Sequence, residues 1–277
     1  MLHHPAVPSQ SDRQRLRTTF EEVPELYDRA RPLYPEQIFD DLAALARLPE
    51  GARIVEIGCG TGQATLPLAQ RGYAVTCVEL GERLAAYTRR KLDAFPEVKL
   101  VNESFETWMP REVGFDAVVA FTAFHWIDPE LRYGKSASLL RAGGALAVVV
   151  TQHVLADGGD GFFAEVGEDY IALMPDGDGA PPPHPDAVPD LGDEVDASGL
   201  FRTLGVGRYV WDVTYTADDY TAVLDTYSGH RALEEDRRRR LLERIRRRIE
   251  ARPEGTVRKS YLAVLTVAGR PESYDRR

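Results

Sequence analysis

Arg53-Ile54-Val55-Glu56-Ile57 runs directly into Gly58-Cys59-Gly60-Thr61-Gly62. The first five residues are mostly β-prone and apolar, and read as a strand. The three glycines predict a tight loop whose backbone turns sharply and approaches a ligand closely. Gln63 to Arg71 reads as a helix, stopped by Gly72 as its C-terminal cap. Strand, glycine loop and helix in that order open a ligand-binding α/β unit. A dinucleotide fingerprint needs the spacing G-x-G-x-x-G. Here the third glycine comes one residue early, at Gly62, and Glu56 precedes the first. An acidic group beside the loop suits a cationic ligand better than a doubly negative pyrophosphate.

Outward from this loop the α/β rhythm continues. Strands are expected at Ala74 to Glu79, Val98 to Val101, Phe115 to Phe121 and Ala145 to Val150. Helices are expected at Glu82 to Phe95 and Asp128 to Leu140. The run Phe115 to Phe121 is almost wholly apolar, as a strand covered on both faces requires. Upstream, Ile38, Leu42, Leu45 and Leu48 recur at helical spacing, and Thr19 to Arg31 reads as a helix stopped by Pro32. Downstream the rhythm changes. Phe162 to Leu173 reads as a helix and Pro175 to Asp193 as a loop. Strands at Gly207 to Thr214 and Thr256 to Ala268 enclose helices at Ala217 to Tyr227 and Arg231 to Ile249. Three regions follow: an N-terminal stretch over 1–50, an α/β core over 51–152, and a region with the closing strands over 153–277.

The 277 residues carry 34 Lys and Arg against 44 Asp and Glu, a net charge of −10. That disfavours a protein built to grip phosphate backbones. The arginine-rich run Arg237 to Arg248 is flanked by Glu234, Glu235, Asp236, Glu243 and Glu250, and reads as a solvated helix face. Two cysteines, Cys59 and Cys77, are too few for a disulfide framework and read as packing residues. The first residues lack a signal-peptide pattern and are expected to be disordered, and no apolar run is long enough to span a membrane. The expectation is a cytoplasmic protein without nucleic-acid or membrane partners. The histidines show no paired metal-ligand spacing, so no metal is expected.

The ordered elements VEIGCGTG at 55–62, Glu79 at the end of the second strand, Asn102 to Phe105 after the third, Phe115-Asp116-Ala117-Val118-Val119 in the fourth and Leu140 to Gly144 before the fifth resemble the class I S-adenosylmethionine-dependent methyltransferases. The likeness is to the methyltransferase type 11 or trans-aconitate-methyltransferase-like group, and covers roughly residues 50 to 152. It implies a Rossmann-like sheet of seven strands, mainly parallel with an antiparallel last strand. It also implies that Gly58, Gly60 and Gly62 wrap the methionine end of S-adenosylmethionine, that Glu79 bonds its ribose hydroxyls, and that Ser104 and Phe105 flank its adenine. A carboxylate is acceptor-only and can take two hydroxyl donors, which suits Glu79 to the task. Glu56 is expected to meet the cofactor ammonium, directly or through water, or else to cap local amides.

Ligands of open α/β sheets bind beyond the carboxyl ends of the strands. Phe121 to Asp128 (FTAFHWID) stands there after the fourth strand, with no N/D-P-P-Y motif of the kind carried by methyltransferases of DNA amino groups. His125 is the best-placed candidate base, or else it orients the loop, and Trp126 reads as a pocket wall. The segment Tyr27 to Pro35 resembles a Y-x-x-x-R-P-x-Y-P stretch of small-molecule methyltransferases. It implies that Arg31 pairs with the cofactor carboxylate and that Tyr27 and Tyr34 line the acceptor channel. The likeness to these small-molecule-modifying enzymes also implies that the stretch over 1–50 is a lid and the region over 153–277 a substrate cover. A polar-aromatic cluster around Tyr220, Tyr227, Ser228, His230 and Arg231 suits either a pocket or a helix junction. The expected activity is methyl transfer to a small organic acceptor, first of all at a carboxylate or hydroxyl oxygen. Nitrogen or carbon acceptors, a nicotinamide-dependent oxidoreductase and a non-catalytic cofactor-binding protein are the alternatives.

Overall fold

A computed structural model describes residues 16, 17, 19–174 and 180–271. The disorder expected for the first eleven residues, and part of the loop expected after Pro175, lie outside the described residues. Contacts divide the chain into two interleaved units. A sheet unit comprises Leu33–Gln152, Pro189–Tyr209 and Leu262–Arg277, and a second unit comprises Met1–Pro32, His153–Val188 and Val210–Tyr261.

Seven strands build the sheet: β1 (Arg53–Ile57), β2 (Ala74–Glu79), β3 (Lys99–Asn102), β4 (Phe115–Phe121), β5 (Leu140–Val154), β6 (Arg202–Thr216) and β7 (Thr256–Gly269). Their order is β3-β2-β1-β4-β5-β7-β6, mostly parallel, with an antiparallel last strand. β1 lies between β2 and β4, with Glu56 opposite Cys77 on one side and Val119 on the other. Six of the seven β4 residues are buried, so helices cover both of its faces, as its apolar run predicts. Val55, Ile57, Val118, Ala120, Leu146 and Val148 share a core with Phe105, Trp108, Phe124 and Ile127. The reversal of strand order beside β1 places the carboxyl ends of β1 and β4 next to each other, which is where this architecture binds ligands.

Several boundaries differ from the expected ones. The helix after the glycine loop is Thr65–Gln70, because residues 60–64 are spent in turns. The next is Glu82–Lys91 rather than reaching Phe95. β5 begins at Leu140, with a register shift opposite Phe115 and Ala117 that absorbs Gly143 and Gly144. β6 is fifteen residues long rather than eight, since Gly205 and Gly207 interrupt the apolar signal without breaking the strand. The expected loop up to Asp193 carries a 3-10 turn at Pro185–Ala187 and the start of helix Gly192–Ala197, where Asp190 accepts the Gly192 amide at 2.7 Å.

In the second unit, the expected helix 162–173 is broken into Phe162–Glu165 and Gly167–Leu173. The arginine-rich helix is Glu235–Glu250, its first amides capped by the Glu234 carboxylate at 3.0 and 3.1 Å. It buries Leu241, Ile245 and Ile249 against Phe162, Tyr220, Val223 and Val257. Its arginines meet Asp169, Asp218, Asp225 and Glu243. The exposed pairs among these, such as Arg247–Glu243, contribute about 0–1 kcal/mol each, and the apolar stripe holds this helix in place. Among the described residues no helix is long and apolar enough to cross a membrane.

Helix Pro129–Leu139 is separated by Ile127 and Asp128 from the turn that carries His125 and Trp126. Its first turn is set by Asp128, whose carboxylate accepts the Glu130 amide at 3.0 Å, and by Pro129 at the first position. Asp128→Ala is expected to lower stability by about 1 kcal/mol. Urea unfolding measures it, and an unchanged midpoint would show that the cap contributes nothing.

Candidate functional site

The site is built at the carboxyl ends of β1, β2 and β4 in the sheet unit. Gly58, Gly60 and Gly62 have φ of +65°, +56° and +78°, a region that disfavours any residue with a Cβ. They curl the chain back across the end of β1. The Gly58 amide donates to the Val78 carbonyl at 2.8 Å. A Cβ on Gly58 would stand 2.9 Å from the Ala123 Cβ, so the loop lies directly against the mouth of β4. A Cβ on Gly62 would meet Thr88 at 3.2 Å, whereas one on Gly60 would face open space.

Glu79 ties the loop to β2. One carboxylate oxygen accepts the Gly60 amide and the other the Gly81 amide, both at 2.9 Å. Thr88 closes the other side, donating to the Gly60 carbonyl at 2.6 Å. Asn102 at the end of β3 donates to the carbonyls of Glu79 and Leu80, each at 3.0 Å. Glu56 is buried beneath the loop and accepts the Thr65 hydroxyl at 2.7 Å. Burial pushes its carboxyl up to about 7, against the Thr65 hydrogen bond and with added repulsion from Glu79. The Thr61 hydroxyl, in the same loop, is buried without a hydrogen-bond partner. Cys59 and Cys77 are free, buried thiols, and their contact together with burial pushes Cys59 well up, away from a reactive thiolate.

The residues after β4 form the facing wall. Thr122 takes a left-handed φ of +54°, costly for a β-branched residue. Its amide donates to Val149 at 2.7 Å and its hydroxyl meets the Tyr34 hydroxyl at 3.2 Å. Tyr34 packs edge-on to Phe121 at 5.1 Å and to Phe39 at 6.5 Å. The 3-10 turn Phe124–Trp126 is anchored by the buried Phe124 and leaves His125 exposed, with its ring 4.5 Å from that of Trp126. Desolvation by the protein around it, with the Arg132 guanidinium nearby, lowers its imidazole to about 4.

The structure therefore brings Glu56, Gly58, Gly60, Gly62 and Glu79 into one cradle, with Tyr34, His125 and Trp126 in the same unit. It treats Ser104 and Phe105 differently. Ser104 bonds the Thr107 hydroxyl at 2.8 Å, and the Phe105 ring is buried in the core under Lys135. Tyr27 and Arg31 belong to the second unit, where the Arg31 guanidinium lies over the rings of Tyr27 at 4.9 Å and Tyr227 at 4.2 Å and donates to Thr226. Also there, His230 meets the Tyr170 hydroxyl at 3.2 Å and Arg231 pairs with Asp225. Sequence reasoning missed Thr88 and Thr122. Thr88 had a signal, a small polar residue on the apolar stripe of a charged helix; the backbone strain at Thr122 had none.

Two predictions separate strain from contact in the loop and test its buried charge. Gly60→Ala is expected to cost about 1–2 kcal/mol from backbone strain alone. Gly58→Ala is expected to cost at least about 1 kcal/mol more, because the Ala123 contact adds overpacking. Equal unfolding midpoints would refute the close approach. For Glu56, the folded chain holds its proton more tightly than the unfolded one. Its stabilisation is therefore full below pH 4.5 and declines as pH rises to about 7. Glu56→Gln is expected to flatten that decline in urea titrations of the ligand-free protein, and a parallel decline in the variant would exclude Glu56 as its source.

Residues 54–144 match a family described as a methyltransferase domain. An uncharacterized methyltransferase of Mycobacterium tuberculosis is 33% identical over 124 residues, 44% of this chain and 48% of that protein. A trans-aconitate 2-methyltransferase of Variovorax paradoxus is 32% identical over 124 residues, 44% of each chain. The chain thus spans about half the length, or less, of these curated relatives. Among solved structures, a provisionally named type II methyltransferase from Anaeromyxobacter dehalogenans superposes with a TM-score of 0.61 at 22% identity, over 87% of this chain and 97% of that one. At that identity the likeness speaks for the fold. Residues 54–144 thus match a methyltransferase domain in sequence, and the seven-stranded sheet shares its fold with that solved structure.

Proposed function

We propose that the protein transfers a methyl group from S-adenosylmethionine to an oxygen of a small organic molecule, with a carboxylate oxygen first among the candidates. The observation that carries the choice of cofactor is the pair of carboxylates in the cradle. Glu56 and Glu79 stand close enough to repel each other beneath a loop of three left-handed glycines. A cationic ligand relieves that repulsion, and a pyrophosphate worsens it. The cradle fits S-adenosylmethionine: Gly58, Gly60 and Gly62 would follow its methionine end, with the Thr61 hydroxyl at hand for a polar partner. Glu79 would take ribose hydroxyls and Glu56 would face the positive charge. When bound, the cofactor supplies a methyl group on a positively charged sulfur, open to in-line displacement.

The acceptor follows from what His125 offers. An imidazole held below its ordinary value by the protein around it is neutral at physiological pH and is a weaker base toward the proton of an alcohol or phenol. A carboxylate needs no such help. Its oxygen lone pair forms the new C–O bond as the S–CH₃ bond breaks, and the products are a methyl ester and a neutral thioether, with no proton to place. Positioning then carries the catalysis. Tyr34, His125 and Trp126 shape the place where the acceptor meets the methyl group.

The test is transfer of labelled methyl from S-adenosylmethionine into a metabolite extract, followed by mild base. Release of the label as methanol is expected. Retention on a small molecule would move the acceptor to a hydroxyl, nitrogen or carbon, and label on macromolecules alone would overturn the small-molecule reading. His125→Ala is expected to keep kcat/KM within about threefold of the parent, because a general base contributes 10²–10⁴-fold. A loss of about a hundredfold would restore His125 as the base.

A further inference from the structure

The second unit buries a lysine that the cradle does not use. Lys259, on β7, is 2% exposed. Its ammonium lies over the rings of Tyr227, Tyr261 and Tyr220 at 4.9, 5.0 and 5.5 Å. One of its three protons goes to the Tyr227 hydroxyl at 2.9 Å. The guanidinium of Arg31 covers the same Tyr227 ring at 4.2 Å. The groups that act on the Lys259 charge are thus a phenol and a second cation. Burial pushes Lys259 down. It also pushes the Tyr227 phenol up, but Lys259 and Arg31 together bring that phenol below its ordinary value. A buried ammonium facing a phenol and another cation is an expensive arrangement, and natural proteins complete such sites with an anion.

A second observation points the same way. His153, at the end of β5, has its Nε2 buried without a hydrogen-bond partner. Its ring stands against Phe163 at 4.3 Å, and it feels the charge of Lys259. The neighbouring His230 is already engaged with Tyr170. His153, Tyr227, Arg31 and Trp211 are each only partly buried, whereas Lys259 is buried. Trp211 stacks on Tyr261 at 5.4 Å and extends the aromatic wall. A floor with an ammionium donor, an unmatched imidazole nitrogen and aromatic walls matches a carboxylate attached to a flat or apolar body.

We propose that Lys259, Tyr227 and His153 form a receptor for the carboxylate of an organic acid. The receptor lies wholly within the second unit and does not rest on the proposed function. The carboxylate takes the ammonium protons that Tyr227 leaves, and His153 supplies its buried N–H in the Nε2 tautomer. The tyrosine rings and Trp211 enclose the body of the acid.

Calorimetric titration of the full chain with benzoate, benzamide, inorganic phosphate and, separately, S-adenosylhomocysteine tests this. Benzoate is expected to bind at least tenfold more tightly than its uncharged isostere benzamide, and more tightly than phosphate. Lys259→Met is expected to weaken benzoate binding tenfold or more and Tyr227→Phe to weaken it severalfold, with S-adenosylhomocysteine affinity unchanged in both as the check that they fold. Equal affinity for benzoate and benzamide, no benzoate binding, or full benzoate affinity in a folded Lys259→Met would overturn the receptor. Tighter binding of phosphate than of benzoate would overturn the organic acid. Benzoate binding by a parent protein that ignores S-adenosylhomocysteine would leave the receptor standing and remove the methyl-transfer reading instead.

Discussion

The carboxylate of Glu79 holds the candidate site together. It ends β2, and its two oxygens reach two different backbone segments, the glycine loop through Gly60 and the start of the next helix through Gly81. Thr88 then binds the same Gly60 through its carbonyl, and Asn102 ties β3 to the turn that follows Glu79. Three strand ends are thereby fixed to one glycine loop. A loop of left-handed residues has little packing of its own, so hydrogen bonds of this kind decide whether it is a shaped surface or a set of conformers.

Burial sets the electrostatics beneath the loop, and the same carboxylate adds to it. Glu56 lies under the loop because β1 alternates its side chains, and the position that follows Val55 must face one side of a fully covered sheet. Burial there leaves a carboxyl that ionises reluctantly next to one that is already bonded to amides. The two carboxyls that face each other beneath the loop are thus placed by β1 and β2 themselves. The wall after β4 contributes shape instead of charge: a strained Thr122, an edge-on Tyr34 and a histidine kept neutral.

Most of the sheet unit was legible in the sequence. The apolar runs of β1, β2 and β4 and the glycines between them are local signals, and the cradle is made almost entirely of residues adjacent to them. The misreadings have common causes. Gly205 and Gly207 hid half of β6, since strand pairing is set by neighbours that a local pattern does not show. Phe105 packs into the core, a placement that tertiary packing shows and its residue type does not. The cluster around Lys259 was legible in part, through Tyr220, Tyr227 and His230. Lys259 and His153 were not, because they lie on strands more than a hundred residues apart, and nothing local marks a lysine as buried.

The strand order has a consequence for how the chain assembles. β6 is joined to the rest of the sheet only through β7, which stands between it and β5. Yet β7 follows β6 in the chain, and the helices from 217 to 250 intervene. During synthesis β6 therefore emerges with neither edge of its final ladder available, and waits for a later strand to insert before it can pair. Such long-range closure is entropically slow. The alternation of exposed and half-buried residues along β6, with Arg202, Arg208 and Asp212 among the exposed ones, keeps the waiting strand from being a uniformly apolar edge.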